Sequence, residues 1–328
     1  MGKKIEKIGV ITSGGDAPGM NAAIRAVVRA CAYYNIECVG AYRGYQGLIE
    51  GDFKILSPRH VSNIINRGGT ILKSARSSEF RTKEGRAKAY KEIKKAEIDA
   101  LVLIGGDGTF TGGMIFNEEY HFPCIGIPGT IDNDIYGTNF TIGYDTALNT
   151  VVDVIDKIRD TASSHNRLFF VEVMGRDAGF IALNAGVGAG AEEILIPEED
   201  LGLERLLEAL KRSKRSGKSS SIVVVSEGDK IGKNVFELAD YVEENLPQYE
   251  VRVSVLGHMQ RGGSPSCFDR VLATRLGVKA VELLLDGQTN LMVGLLNNKV
   301  ETTELDHAVK GKHHINKELL RVSDIMSI

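Results

Sequence analysis

Asp132 and Asp134 stand two residues apart at the end of C-I-G-I-P-G-T-I-D-N-D, residues 124–134. Two carboxylates so spaced after a turn suit proton abstraction or the grip of a charged ligand. The apolar run over 124–127 reads as a strand of a buried parallel sheet that Pro128 and Gly129 end. Residues just past such a strand lie at the sheet's carboxyl edge, where open α/β sheets bind ligands. By itself the stretch reads equally as a Pro-Gly turn whose Asp and Asn cap the next element.

Other loops of the same kind surround it. S-G-G-D-A-P-G, residues 13–19, follows a strand expected at 8–12 and leads into a helix whose Ile24, Val27, Val28 and Cys31 keep an i, i+3, i+4, i+7 spacing. Backbone N–H groups at such a helix start suit phosphate, and glycine lets the chain approach it closely. Arg25 and Arg29 lie off that stripe four residues apart, where like charges repel unless an anion lies between them. G-G-D-G-T, residues 105–109, closes a fully apolar strand at 100–104. Its glycines admit polyphosphate while Asp107 meets Mg²⁺, which typically uses one or two carboxylates plus phosphate oxygens. M-G-R-D-A-G follows a strand at 168–173, Glu227 follows one at 222–225, and G-H-M-Q-R-G-G-S-P follows one at 251–256. Arg76 stands in a small-residue stretch, and its planar fork suits a phosphate as well as a surface ion pair.

Of two familiar nucleotide motifs, a dinucleotide site is disfavoured and a P-loop excluded. The strand at 38–42 has no acid at its carboxyl end to hold a dinucleotide's ribose. Lys73-Ser74 lacks the directly preceding glycine of a P-loop. G-V-G-A-G-A at 186–191 follows no clear strand and is expected to be a loop.

The elements that must position these loops alternate between strand and helix with no internal repeat or low-complexity tract, which fits a doubly wound α/β chain. A helical stripe at Leu148, Val151, Val152, Ile155 and Ile158 follows the central strand, and Leu203, Leu206, Leu207 and Leu210 mark another. A length of 328 residues suits two domains of ordinary size. A net charge of -3 leaves no nucleic-acid footprint, so anion sites must come from local clusters of Arg and Lys. Cys31, Cys38, Cys124 and Cys267 form no C-x-x-C and mostly sit in apolar runs, as buried thiols of a reducing compartment do. The charged start M-G-K-K-I-E-K runs into a strand rather than a signal segment, and no apolar run approaches a membrane span of ~20 residues, so cytoplasm is the expected location, with no membrane partner.

Taken in order, T-S-G-G-D-A-P-G-M-N-A, N-R-G-G-T, G-G-D-G-T, P-G-T-I-D-N-D, S-S-H-N-R, V-M-G-R and L-G-H-M-Q-R-G-G-S-P closely resemble the bacterial ATP-dependent 6-phosphofructokinase family over nearly the whole chain. The resemblance implies two doubly wound, Rossmann-like α/β/α domains with the chain crossing between them more than once. The larger, at 1–142 plus 257–306, would bind ATP, and the smaller, at 143–256 plus 307–328, fructose 6-phosphate. It implies a homotetramer with sites shared between subunits, and Mg²⁺ as cofactor. Asp132 matches the general base, Asp134 its support, Thr130 a neighbour of the transferring phosphoryl, and Gly15 and Arg76 the residues meeting its charge. The ATP site matches Gly15, Arg76, Ser77, Gly106, Asp107, Gly108 and Thr109, with Asp107 at the metal. The sugar phosphate site matches Thr130, Ile131, Asp132, Met174, Gly175, Arg176, Glu227, His258, Met259, Gln260 and Arg261, while Arg167 and Arg252 reach in from a neighbour. Phosphoryl transfer needs positioning and electrostatic stabilisation more than covalent chemistry, and guanidinium forks suit a sugar phosphate.

The resemblance further implies an effector site for ADP or phosphoenolpyruvate at Arg25, Arg29, Arg159, Gly190, Glu192, Lys218, Ser219 and Ser220. Two departures stand out there. Pro58 and Ser216 replace usual cations, with Arg59 and Arg215 alongside. ATP rather than pyrophosphate is the expected donor, because Gly108 and Gly129 stand where pyrophosphate-using relatives carry Asp and Lys. The rival readings are a kinase of another hydroxyl, since G-G-D-G-T also occurs in NAD and diacylglycerol kinases, and an inactive nucleotide-sensing subunit, against which every acid and base position is filled.

Overall fold

The computed structural model describes residues 4–165, 167–199, 202–215, 221–231 and 234–326. Contacts divide the chain into two compact units. Unit 1 comprises residues 1–131, 135–146 and 261–313, and unit 2 comprises 132–134, 147–260 and 314–328.

In chain order unit 1 opens with β1 (Lys7–Thr12), α1 (Met20–Tyr33), β2 (Glu37–Ala41), α2 (Tyr45–Glu50), β3 (Phe53–Ile55), α3 (Lys83–Lys95), β4 (Ala100–Gly105), α4 (Asp107–Tyr120) and β5 (Cys124–Pro128). Helix α5 (Tyr144–His165) carries the chain into unit 2, which holds β6 (Arg167–Val173), α6 (Phe180–Gly188), β7 (Glu193–Leu195), α7 (Gly202–Arg215), β8 (Ser221–Ser226), α8 (Val235–Asn245) and β9 (Glu250–Val255). The chain returns to unit 1 for α9 (Cys267–Leu285), β10 (Leu291–Leu296), β11 (Lys299–Glu304) and α10 (Leu305–Lys310), and ends with α11 (Lys317–Met326) in unit 2.

The sheet of unit 1 runs β11-β10-β5-β4-β1-β2-β3, parallel except for the outer pairs β10–β11 and β2–β3. From β1 the chain winds outward to β2, whereas from β4 it winds the other way to β5. The loops after β1 and β4 therefore diverge, and a doubly wound sheet opens its ligand crevice at such a switch point. Strands buried on both faces read as unbroken apolar runs. Accordingly Ala100, Leu101, Val102, Leu103 and Ile104 of β4 are all buried. Ile24, Val27, Val28 and Cys31 of α1 are likewise buried, the first three each stabilising the fold by about 1.5–3 kcal/mol.

Unit 2 is a smaller, fully parallel sheet in the order β7-β8-β6-β9. Its core joins Leu168 and Phe170 of β6 and Val223 and Val225 of β8 to Leu206 and Leu210 of α7 and Leu238 and Val242 of α8. The expected loop at 186–191 is corrected: Gly186, Val187 and Gly188 form the last turn of α6. The reason is packing, since a Cβ at Gly186 would lie 2.6 Å from Ile194 Cδ1, so glycine lets helix and strand close up. Of the four cysteines, Cys31, Cys38 and Cys124 are buried and Cys267 is exposed.

Candidate functional site

In unit 1 three loops meet at the carboxyl ends of β1, β4 and β5. The Ser13 N–H donates to Ile104 O at 3.0 Å and the Gly129 N–H to Gly105 O at 3.0 Å, so the backbone ladder continues just past the strands and holds the loops side by side. Gly105 must be glycine: a Cβ there would lie 2.3 Å from Thr109 Oγ1 and 2.5 Å from Ser13 O. Gly106 precedes the first turn of α4, and the N–H groups of Thr109 and Phe110 turn back to its carbonyl at 3.0 and 3.1 Å. Asp107 is thus the first residue of that helix. A Cβ at Gly108, the residue after Asp107, would meet no atom within 4 Å beyond its chain neighbours and its own helix backbone, so the chain is open there.

Gly14 takes a left-handed φ of 85°, and Gly14 and Gly15 are exposed. The guanidinium of Arg261 lies over Gly15 and donates from Nη1 to Asp16 O at 3.1 Å. One of the expected sugar phosphate residues thus shares a wall with an expected ATP residue. Arg76 is exposed, while Ser77 spends its hydroxyl locally, donating to Gln46 Oε1 at 2.7 Å and accepting from the Phe80 N–H at 3.1 Å.

Past β5, Thr130 is 8% exposed, and its carbonyl accepts from Thr141 Oγ1 at 2.6 Å. Ile131 is fully buried and Asp132 is 7% exposed, so the Asp132 carboxylate stands in a largely water-excluded place. Asn133 takes a left-handed φ of 55°, a conformation Asn tolerates, and Asp134 follows it half-buried.

In unit 2 seven of the expected sugar phosphate residues gather at the carboxyl ends of β6, β8 and β9. Met174, Gly175 and Arg176 follow β6, Glu227 follows β8, and His258, Met259 and Gln260 follow β9. Glu227 Oε1 accepts from the Arg176 N–H at 2.7 Å and the Gly175 N–H at 3.3 Å, fixing a turn in which Gly175 has φ 150° and Arg176 φ 57°. Arg176, Glu227, His258 and Met259 are exposed at this edge. Gln260 behaves differently. It is fully buried, its amide oxygen accepts from the Met174 N–H at 3.2 Å and its amide nitrogen donates to Gly257 O at 3.0 Å. Gln260 therefore positions the Met174–Arg176 turn and presents no surface of its own.

Two arginines lie away from this edge. Arg167 begins β6, about 20 Å along the strand from its far end, and Arg252 lies within β9 paired with Phe169. Both flank Glu250: Arg167 Nε lies 3.1 Å from Glu250 Oε2, and Arg252 Nη2 bonds Glu250 Oε1. The sequence held no cue to Glu250 beyond its being two residues before Arg252.

The expected effector residues scatter over both units. Arg25 is half-buried and Arg29 exposed on α1, Arg59 lies in an exposed turn, and Arg215 ends α7. Arg159 of α5 donates from Nη2 to Ala189 O at 2.6 Å and Gly190 O at 2.8 Å, and Nη1 lies 3.9 Å from Glu192 Oε1. Glu192 is buried and accepts from the Ile222 N–H at 2.5 Å. Lys218, Ser219 and Ser220, like Ser216, lie outside the described residues.

Glycine-walled loops at the topological switch point of unit 1 place the chain in the doubly wound α/β class, whose loops there suit phosphate-bearing ligands. The phosphofructokinase family model matches residues 7–284. The chain is 53% identical over 324 residues to ATP-dependent 6-phosphofructokinase 2 of Bacteroides thetaiotaomicron, covering 99% of each chain. It is 55% identical over 324 residues to ATP-dependent 6-phosphofructokinase 1 of Thermus thermophilus, covering 99% of this chain and 100% of that one. The structure of phosphofructokinase from Saccharomyces cerevisiae superimposes with a TM-score of 0.89 at 36% identity, covering 98% of this chain and 47% of that longer one. The chain belongs to the phosphofructokinase family.

Proposed function

We propose that this chain is an ATP-dependent 6-phosphofructokinase that transfers the γ-phosphoryl group of ATP to the 1-hydroxyl of fructose 6-phosphate. The observation that carries the reading is identity above half, end to end, with proteins named for that activity, on a chain that keeps Asp132 buried past β5. Asp132 takes the hydroxyl proton as the new O–P bond forms and the bond to ADP breaks, with Asp134 as its support. A base that is largely withdrawn from water acts on a positioned proton more effectively than an exposed one. Thr130 lies beside the transferring group, and Gly15 and Arg76 meet its charge.

The loops of unit 1 that hold Gly15, Arg76, Ser77 and Gly106–Thr109 would take ATP. Asp107 suits Mg²⁺: it is a single carboxylate at a helix start, next in the chain to the open position at Gly108, fitting a cation held mainly by phosphate oxygens. When bound, Mg²⁺ supplies charge neutralisation between the phosphates. Met174, Gly175, Arg176, Glu227, His258, Met259 and Arg261 would hold the sugar phosphate. Arg167 and Arg252 stand apart from the others, which accords with their serving a neighbouring subunit of a homotetramer in the cytoplasm. ADP and phosphoenolpyruvate would act at Arg25, Arg29, Arg59, Arg159, Gly190, Glu192, Arg215, Lys218, Ser219 and Ser220.

The donor follows from two glycines. An Asp at 108 would add a second negative charge in the space beside Asp107, where the nucleotide's phosphates must lie. A side chain at 129 would bring its Cβ to 3.1 Å from Ile104 Cγ2 and 3.3 Å from Met20 Cε, which must then give way. A coupled assay offering fructose 6-phosphate with ATP or with pyrophosphate tests acceptor and donor together. Turnover is expected with ATP alone, and efficient turnover with pyrophosphate, or none with either, would refute the reading.

A further inference from the structure

We propose that Asp269 is a positioning residue for phosphoryl transfer, the hub of a buried joint that ties the segment carrying Arg261 to the segment carrying Thr130. This rests on the kinase reading above. Asp269 lies in the first turn of α9 and is fully buried, yet among the described residues no Arg or Lys is bonded to it. Its oxygens serve the start of another helix: Oδ1 accepts from the Gly143 N–H at 2.8 Å, and Oδ2 from the Thr146 N–H at 2.9 Å and the Thr146 hydroxyl at 2.5 Å. A carboxylate from α9 thereby does for α5 what an N-cap side chain ordinarily does, satisfying N–H groups that have no partner within the helix.

The joint is closed from the other side. The Ser266 N–H donates to Thr146 Oγ1 at 2.9 Å, the Ser266 hydroxyl donates to Asp145 Oδ2 at 2.5 Å and accepts from the Asp269 N–H at 3.1 Å. The Ser266, Thr146, Asp145 and Asp269 side chains are thus bonded across the gap between α5 and the start of α9, while the Asp269 N–H bond to Ser266 is the N-cap of α9 itself. Such a buried network is rigid and costly to break at one member.

Each helix start leads directly to residues of the reaction. Just before α5, Thr141 Oγ1 donates to Thr130 O, and the Ile142 N–H donates to Pro128 O at 2.9 Å. Before α9, the chain runs back through Ser264, whose hydroxyl donates to Asn66 O at 2.8 Å, to Arg261 over Gly15. Gly263 is clamped as well, because a Cβ at Gly68 would lie 2.3 Å from its carbonyl oxygen. Placing a guanidinium correctly against a phosphate is worth orders of magnitude in rate, and a shift of about 1 Å can cost ~10²-fold. Asp269 touches no substrate; it sets where Arg261 stands relative to Thr130.

The test compares wild type with Asp269→Asn and Thr146→Val, two near-isosteric changes. Asn puts an N–H₂ against N–H donors, and Val removes the hydroxyl that bonds both Asp269 and Ser266. Each is expected to raise KM for fructose 6-phosphate about tenfold while KM for ATP stays within about twofold. Amide hydrogen exchange should speed up at residues 141–146 and 261–266 and not in the strands of the sheet. A folded variant with unchanged kinetics, or an equal loss toward both substrates, overturns the proposal. If Asp269→Asn does not fold, Thr146→Val decides alone. Failure of wild type to phosphorylate fructose 6-phosphate would sink the kinase reading instead, and the exchange pattern would still decide whether Asp269 holds the two segments.

Discussion

The guanidinium of Arg261 lies against the bare backbone of Gly15, so close that a Cβ at Gly15 would stand 2.7 Å from Nη1. A glycine of the expected nucleotide loop is therefore small partly on account of an arginine assigned to the other substrate. Gly15→Ala should fold normally, because the displaced group is the flexible end of a side chain. It should nevertheless raise KM for fructose 6-phosphate several-fold, together with that for ATP. Steady-state kinetics in both substrates check this. A change confined to ATP would mean that Arg261 simply moves aside without cost.

Asp132→Ser removes the proposed base and leaves the phosphate-facing residues alone. The expected loss is at least ~10²-fold in kcat with a modest change in nucleotide affinity. A near-normal kcat under single-turnover conditions would remove Asp132 from that role.

Glu250 lies between two arginines, 3.1 Å from Arg167 Nε as a charge contact on one side and bonded to Arg252 Nη2 on the other. On the proposed reading, the sugar phosphate would compete with this carboxylate for both guanidinium groups. The pairs are partly exposed, and such contacts are worth about 0.2–1 kcal/mol each, so Glu250→Gln should lower the half-saturating fructose 6-phosphate by roughly two- to fivefold. Arg252→Ala should raise it. Saturation curves at low and high salt decide the matter, because an ion-pair effect must shrink as salt rises.

Burial pushes the Asp269 carboxyl up to about 6 from an ordinary 3.8, against the pull of its bonds from Thr146 and Gly143, and the neighbouring Asp145 adds to the rise. The folded state therefore binds this proton more tightly than the unfolded chain. The contribution to stability is fully present below about pH 4 and is lost as pH rises through about 6, a swing of up to about 3 kcal/mol. Denaturant unfolding between pH 4 and 7 should show this downward slope in wild type and a flatter profile in Asp269→Asn. Parallel profiles would place the titration elsewhere.

The sequence made the sheet strands and the loops that end them legible because both leave local marks: apolar runs such as Ala100–Ile104, and glycines where the chain must approach itself or a phosphate. Helix α1 was legible for the same reason, since one face is apolar and the other carries Arg25 and Arg29. Helix α6 was not. Phe180, Ile181, Ala182, Leu183, Ala185 and Gly186 are all buried, so no polar face marks its period. Asp269 escaped for a different reason: its partners Gly143 and Thr146 lie far away in sequence, and a charged side chain in a helix start reads as a solvated cap until its burial is known. Gln260 was legible as a sugar phosphate candidate but not as the buried anchor of Met174, because that partner too is distant in sequence.

The expected effector site raises a sharper question, because Arg159 already has work in the fold. Its guanidinium bonds the carbonyls of Ala189 and Gly190 at the end of α6, where helices leave acceptors unsatisfied, and lies near the buried Glu192. Arg159→Ala should thus cost about 1–2 kcal/mol of stability with no effector present. Any role in regulation must appear over and above that cost. Pro58 and Ser216 remove two cations from the proposed site, and a ligand shifts two states only by its differential affinity for them. Phosphoenolpyruvate inhibition should be weak in wild type, weaker in Arg159→Ala, and strengthened several-fold in a Pro58→Arg, Ser216→Arg double variant. Sugar phosphate saturation curves with and without phosphoenolpyruvate, run beside urea unfolding of each variant, separate the two roles. Strong inhibition in wild type that neither set of substitutions alters, with Arg159→Ala merely less stable, would leave Arg159 as a structural clamp on α6 and place the effector site elsewhere.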